Sequence, residues 1–244
     1  TNQVDCSEFR ITLSTQEMVN FKKSSAKKLT GFTLIELLVV ISIIGILAGI
    51  LISSGLFSFL SDAEAKKTKS VFRAWVTQIF QYKETYKHFP PVLLQKKEGE
   101  PLEIGEEYEA DHDRLLAALK GREWDRSNRT WMPLDSLLKE NKRHREFHSF
   151  GSDEFGEDGY LVDAWGNDKI FFVVDRNGDG LIELEATAFT DIKDALIREY
   201  GTEVVDAAGD NLKVIHEKVG IYVLNDGGEG KNVFSWNIEK YLED

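Results

Sequence analysis

The chain has one cysteine, Cys6, and none after it, so no disulfide can form within its body and cysteine usage says nothing of a redox compartment. Positive charge is also short, with 30 Lys and Arg against 42 Asp and Glu, a net of −12. Residues 1–31 hold five basic and three acidic residues, which leaves −14 for residues 32–244. Such an exterior argues against sequence-independent nucleic-acid binding, which rests on Lys and Arg neutralising phosphates. It suits a solvated or cation-binding surface instead. No catalytic constellation is evident either. There is no Ser-His-Asp arrangement in a motif context, no Gly-Lys-Ser/Thr phosphate loop and no cysteine nucleophile beyond Cys6, so no enzymatic activity is expected.

Charge is scarcest between Phe32 and Leu60, where Glu36 alone interrupts a run of mostly Leu, Ile, Val, Phe, Gly and Ala. As a helix, that run would span about 43 Å, more than the hydrocarbon thickness of a bilayer. A carboxylate at the centre of a spanning helix costs about 2.5–3.5 kcal/mol, and less near an interface. Glu36 therefore needs a partner or a function.

Three readings of the run are open. It is a single-span anchor, with Lys22, Lys23, Lys27 and Lys28 keeping its amino-terminal side cytoplasmic. It is a signal peptide cleaved near Ala63-Glu64-Ala65, although its length and its charge speak against that. Or the chain is cut between Gly31 and Phe32. That cut creates an α-ammonium one helical turn from Glu36, able in an array to neutralise the Glu36 carboxylate of a neighbour. Such pairing would set the axial register of otherwise uniform apolar helices.

The stretch Lys27-Lys-Leu-Thr-Gly31-Phe32-Thr-Leu-Ile-Glu36-Leu-Leu-Val-Val closely resembles the prepilin motif of type IV pilins and type II secretion pseudopilins. The resemblance implies cleavage after Gly31 by a membrane-embedded aspartyl prepilin peptidase and N-methylation of Phe32. It also implies filament packing guided by Glu36. One departure is a leader of at least 31 residues, longer than pseudopilins usually carry. The chain opens on Thr1 rather than Met, so a start further upstream is expected.

Beyond Leu60, Ala63, Val71, Phe72, Trp75, Val76, Ile79, Phe80, Tyr82 and Tyr86 recur at three- and four-residue spacing. This predicts a helix continuing to His88-Phe89-Pro90-Pro91, where proline ends it. The expected division is a leader over 1–31, a transmembrane or filament-core helix over 32–60, its amphipathic continuation over 61–88 and an exported domain over 89–244. Trp75, Trp124, Trp131, Trp165 and Trp236 all lie after the apolar run, so that portion should fold around a core.

Within it, 96–109 reads as a charged loop, Asp111–Leu119 and Met132–Asn141 as short helices, and 160–174 as strand, turn, strand. Asp191–Tyr200 reads as a helix, and 213–224 with 233–238 as a last strand pair. The expected class is α+β: a long helix packed on a C-terminal antiparallel sheet with short helices. His144 and His148 share a helical spacing that could face a metal, but with no further ligand a solvated helix end is the better reading.

Leu161-Val-Asp163-Ala164-Trp165-Gly-Asn167 is similar to the Leu-x-Asp-Pro-Trp-Gly-Asn turn of major pseudopilins, with Ala164 replacing the proline. The glycine-rich acidic segment around Asp226 and Glu229 loosely resembles the calcium-binding C-terminal loop of that group. Separately, Asp175-Arg-Asn177-Gly-Asp179-Gly180 has the first half of an EF-hand-type loop, with Gly180 allowing the bend. Ala186 stands where the bidentate acid belongs, so Glu183 or Glu185 would have to substitute. Calcium at Asp175, Asn177, Asp179 and Glu183 is expected, against the alternative of a β-turn needing no ion.

The resemblance implies a subunit that polymerises into a short periplasmic filament for type II secretion. The alternative is a surface pilus subunit, adhesin or DNA-uptake pilin. Implied partners are other copies of the chain, the prepilin peptidase, an inner-membrane assembly platform and minor pseudopilins, with no nucleic acid. The implied location is the bacterial inner membrane, single-pass, with the C-terminal domain in the periplasm.

Overall fold

The computed structural model describes residues 32–53, 56–225 and 230–242. The chain divides into two units, Thr1–Ile50 and Leu51–Asp244. Gly31, Asp226 and Glu229 lie outside the described residues.

The expected unbroken helix is described as α1, Leu34–Ser53, and α2, Leu56–Tyr86. Among the described residues no helix is long and apolar enough to cross a membrane. From Leu34 to Ile50 the large apolar side chains of α1 stand 46–82% exposed on all sides, with no polar face. α2 stops where expected: Lys87 takes a left-handed φ of 66° ahead of Phe89-Pro90-Pro91, its N–H still bonded to the Lys83 carbonyl.

Behind α2 is a four-stranded antiparallel sheet in the order β1 (Leu102–Ile104), β4 (Ile170–Val174), β7 (Val219–Val223) and β8 (Val233–Phe234). Phe172 faces Leu102 on one side and Ile221 on the other, which fixes the register across the three longest strands. Side chains alternate along β4, so its two faces enter different cores. Ile170, Phe172 and Val174 pack with Phe72, Trp75 and Ile79 of α2. Val173, with Tyr222 of β7, packs against Ile192 and Leu196 of α4 (Ala186–Tyr200) and Val205 of α5 (Thr202–Ala208). Both faces are covered, so β7 is buried along its whole length. The α+β expectation holds, consistent with the pilin fold, and the sheet is sandwiched rather than covered on one side only.

The remaining elements depart from expectation in instructive places. β1 lies inside the stretch read as a charged loop. α3 forms at Glu109–Lys120, ended by Gly121 in the left-handed region at φ 70°, with its N–H on the Ala117 carbonyl. No α-helix forms at 132–141. Instead β2 (Glu123–Asp125) and β3 (Thr130–Met132) pair as a hairpin, and only Leu138–Glu140 turns helically. The Glu123 carboxylate takes the N–H groups of Asp135 and Leu137 and the Ser136 hydroxyl, holding that backbone in a bend. The strand expected before Asp163 reduces to a single bridge between Phe155 and Leu161. A further short pair, β5 (Ile182–Glu183) with β6 (Val214–Ile215), splits the expected 213–224 strand.

Candidate functional site

At the start of α1, Glu36 is already partnered within its own chain. Thr33 Oγ1 accepts from the Glu36 N–H at 3.3 Å, and Glu36 Oε2 accepts from both the N–H and the hydroxyl of Thr33 at 2.8 Å. This reciprocal arrangement is a capping box, satisfying amide donors that the first helical turn leaves open. Both bonds onto the carboxylate fall on Oε2 alone. Phe32, the residue expected to become the new terminus, is 81% exposed. The Thr-x-x-Glu spacing that builds the cap is legible in the sequence and makes Thr33 the partner of Glu36 within the chain.

The Asp163–Asn167 turn is docked on α2. Asp163 is buried, and its Oδ1 accepts from the N–H groups of Trp165 and Asn167, both at 2.8 Å. Burial pushes its carboxyl up from the ordinary range even though these amides hold the charged form. Ala164 donates its N–H to Oγ1 of the buried Thr68 at 3.0 Å. Proline has no N–H to give, so alanine at this position lets the turn bond the helix.

Two more polar contacts fasten residues 92–160 to the rest of the domain, and a third holds the segment together. His112 is buried and its Nε2 accepts the Leu161 N–H at 3.0 Å, which places the ring proton on Nδ1 beside Asp113. Burial keeps His112 below the ordinary histidine range. His148 meets Glu154, which also accepts from Trp75 Nε1 at 2.6 Å and from the Gly151 N–H at 2.7 Å. Burial alone would raise the Glu154 carboxyl, but these donors hold it below the ordinary range. Glu140 is fully buried, paired at 2.7 Å with Arg114 Nε. His144, by contrast, is exposed in a turn at φ 50°, so the two histidines share no helical face.

At the expected calcium loop, Asp175 is 1% exposed and its two carboxylate oxygens accept from the N–H groups of Gly178 (2.6 Å) and Gly180 (2.9 Å). Asn177 Oδ1 takes the Asp179 N–H, and Asp179 Oδ1 takes the Leu181 N–H. Glu183 sits in β5 between buried Ile182 and Leu184, so its exposed side chain lies on the opposite face of the strand. Among the described residues, no three His, Cys, Asp or Glu side chains are gathered as for a metal. Each Asp175 oxygen accepts one N–H of its own turn and keeps a second lone pair.

Residues 27–52 match the prokaryotic N-terminal methylation motif. The match covers Gly31, Phe32 and Glu36 together with the Thr33 cap. No curated protein and no solved structure matches the chain.

Proposed function

We propose that this protein is a type IV pilin-like subunit of the secretion branch, cut between Gly31 and Phe32 by a prepilin peptidase, methylated at Phe32 and polymerised through α1 into a short filament. The observation that carries the proposal is the methylation motif over 27–52, joined to an apolar helix whose side chains find no cover in their own chain. Before assembly, α1 with the start of α2 would reside in the inner membrane and the domain from 61 onward in the periplasm. In the filament, the Phe32 ammonium of one subunit would meet Glu36 of its neighbour. Because the Thr33 cap uses only Oε2, that pairing need not dismantle it. The role is structural rather than catalytic, with the assembly platform and minor subunits as partners.

The acidic domain and the Asp163–Asn167 turn favour secretion over a DNA-uptake or surface pilus. Calcium at Asp175, Asn177, Asp179 and Glu183 draws on residue spacing alone. Each Asp175 oxygen keeps a lone pair beyond the N–H it accepts, and melting with calcium and with chelator tests the site, an unchanged midpoint removing it. The filament reading is tested by co-expression with a prepilin peptidase and its assembly platform. Wild type should assemble, and Glu36→Ala should be processed yet fail to assemble; a Glu36→Ala protein that assembles normally contradicts the register role.

A further inference from the structure

Four consecutive exposed residues, Lys142, Arg143, His144 and Arg145, form a basic turn on a chain of net charge −12. Among the described residues none of them has an ion-pair partner. The turn is rigidly built. Buried Asn141 donates to the carbonyls of Ala118 (2.8 Å) and Arg145 (2.7 Å), and its Oδ1 accepts from the Arg145 N–H and the Tyr86 hydroxyl. The Tyr86 oxygen in turn accepts from the Arg143 N–H. The guanidinium groups of Arg143 and Arg145 lie 5.5 Å from the rings of Tyr86 and Phe147. The N–H groups of Phe147 and His148 bond the Leu119 carbonyl, which seats the turn on the C-terminal end of α3.

At the other end of α3, about 18 Å away along twelve residues, lies an exposed acidic run, Glu106, Glu107 and Glu109. Glu109 pairs with Arg126, whereas Glu106 and Glu107 have no ion-pair partner among the described residues. Among the described residues, one short helix thus separates a basic surface without ion-pair partners, whose Arg145 also reaches the Thr85 hydroxyl, from an acidic one in which Glu109 alone is paired. The helix dipole favours this polarity within the chain by no more than about 1 kcal/mol at each end. It does not call for three solvated cations within four residues.

We propose that these two ends are the halves of a head-to-tail contact between copies of this chain, the Lys142–Arg145 turn of one against Glu106, Glu107 and Glu109 of the next. Two different patches meeting in this way generate an open helical array rather than a closed dimer. Subunits of net charge −14 repel one another, and a localised cationic patch offsets that repulsion while fixing orientation. Anionic lipid is the less fitting occupant. The turn sits at the far end of α2, about 46 Å along from Leu56, where the helix leaves the apolar segment.

This inference rests on the filament reading, and its test separates the two. The full chain, co-expressed with the peptidase and assembly platform, is compared with Arg143→Glu/Arg145→Glu, Glu106→Arg/Glu107→Arg and all four changes together. Each pair should lower the assembled fraction at least about tenfold, and the combination should restore it to within about twofold. In a Cys6→Ser background, Glu107→Cys with Arg143→Cys should yield an oxidised ladder of multimers. These positions flank α3 and are too far apart to bridge within one chain.

Wild-type assembly that both reversals leave unchanged overturns this contact and spares the filament reading. A lowered melting temperature without rescue by the combination assigns the charges to the fold alone and overturns it too. So does loss of binding to anionic vesicles by Arg143→Glu/Arg145→Glu with assembly intact. A wild-type chain that is never processed or assembled removes both proposals.

Discussion

In α1, Leu34 and Ile46 stand 82% and 64% exposed, whereas in α2 Phe72, Trp75 and Ile79 are at most 1% exposed. The two helices also differ in their polar groups. α1 has one local cap, Thr33 with Glu36, while α2 is tied to the domain through Thr68, Trp75, Tyr82 and Tyr86. The domain thus completes its interactions within one chain, with the Tyr82–Glu140 tie buried and those of Thr68, Trp75 and Tyr86 half-buried. α1 does not, since covering a large apolar side chain contributes about 1.5–3 kcal/mol in water and its own chain leaves that contribution unrealised. Under the proposed function its cover would come from a bilayer or from other copies. The domain reads as a folding unit and α1 as an assembly unit.

Changes in the domain should then alter stability without altering processing. The largest effect is expected from Arg114→Ala, which strands the fully buried Glu140 carboxylate. Breaking such a pair should cost about 3 kcal/mol, read as a lower denaturant midpoint, with cleavage at Gly31 unchanged. Slower cleavage in a folded variant would break the division between the two units.

A smaller loss, about 1 kcal/mol, is expected for Ala164→Pro, which removes the N–H given to Thr68. Thr68→Val should cost a similar amount, and the double variant little more, since both delete the same bond. Additive losses would mean the turn is not held to α2 by that contact.

The mildest effect concerns pH. His112 is held neutral by burial, so its folded pKa lies below the unfolded value of 6.5. The unfolded chain then binds the proton first, and stability should fall as pH drops below about 6.5, with no contribution above it. Melting at pH 7.5 and 5.5 should reveal the loss, and His112→Gln should flatten it. An unchanged slope would place the titration elsewhere.

How much of this was legible in sequence follows the same division. The motif from Lys27 to Val40, the helix over 61–86 and the strand Ile170–Val174 are long or strongly patterned, so local residues decide them. β1 has only three residues, Leu102–Ile104, and exists because β4 offers it an edge. The helix expected at 132–141 gave way to a carboxylate from nine or more residues upstream, Glu123, which no local window contains. The cation loop at 175–180 had the right spacing. What spacing could not convey is that Asp175 is buried and that each of its oxygens accepts an N–H of its own turn. Of the site residues, Glu36 was evident as a lone charge. Its partner Thr33 is less evident, because a lone charge in an apolar run points to a neighbouring chain before it points to the preceding turn.

The most direct measurement is the mass of the amino-terminal peptide of the assembled protein, recovered from cells that contain a prepilin peptidase. A peptide beginning at N-methylated Phe32, with residues 1–31 absent, is the predicted result. Assembled material that retains Lys27, Lys28 and Gly31 ahead of an unmodified Phe32 would contradict it.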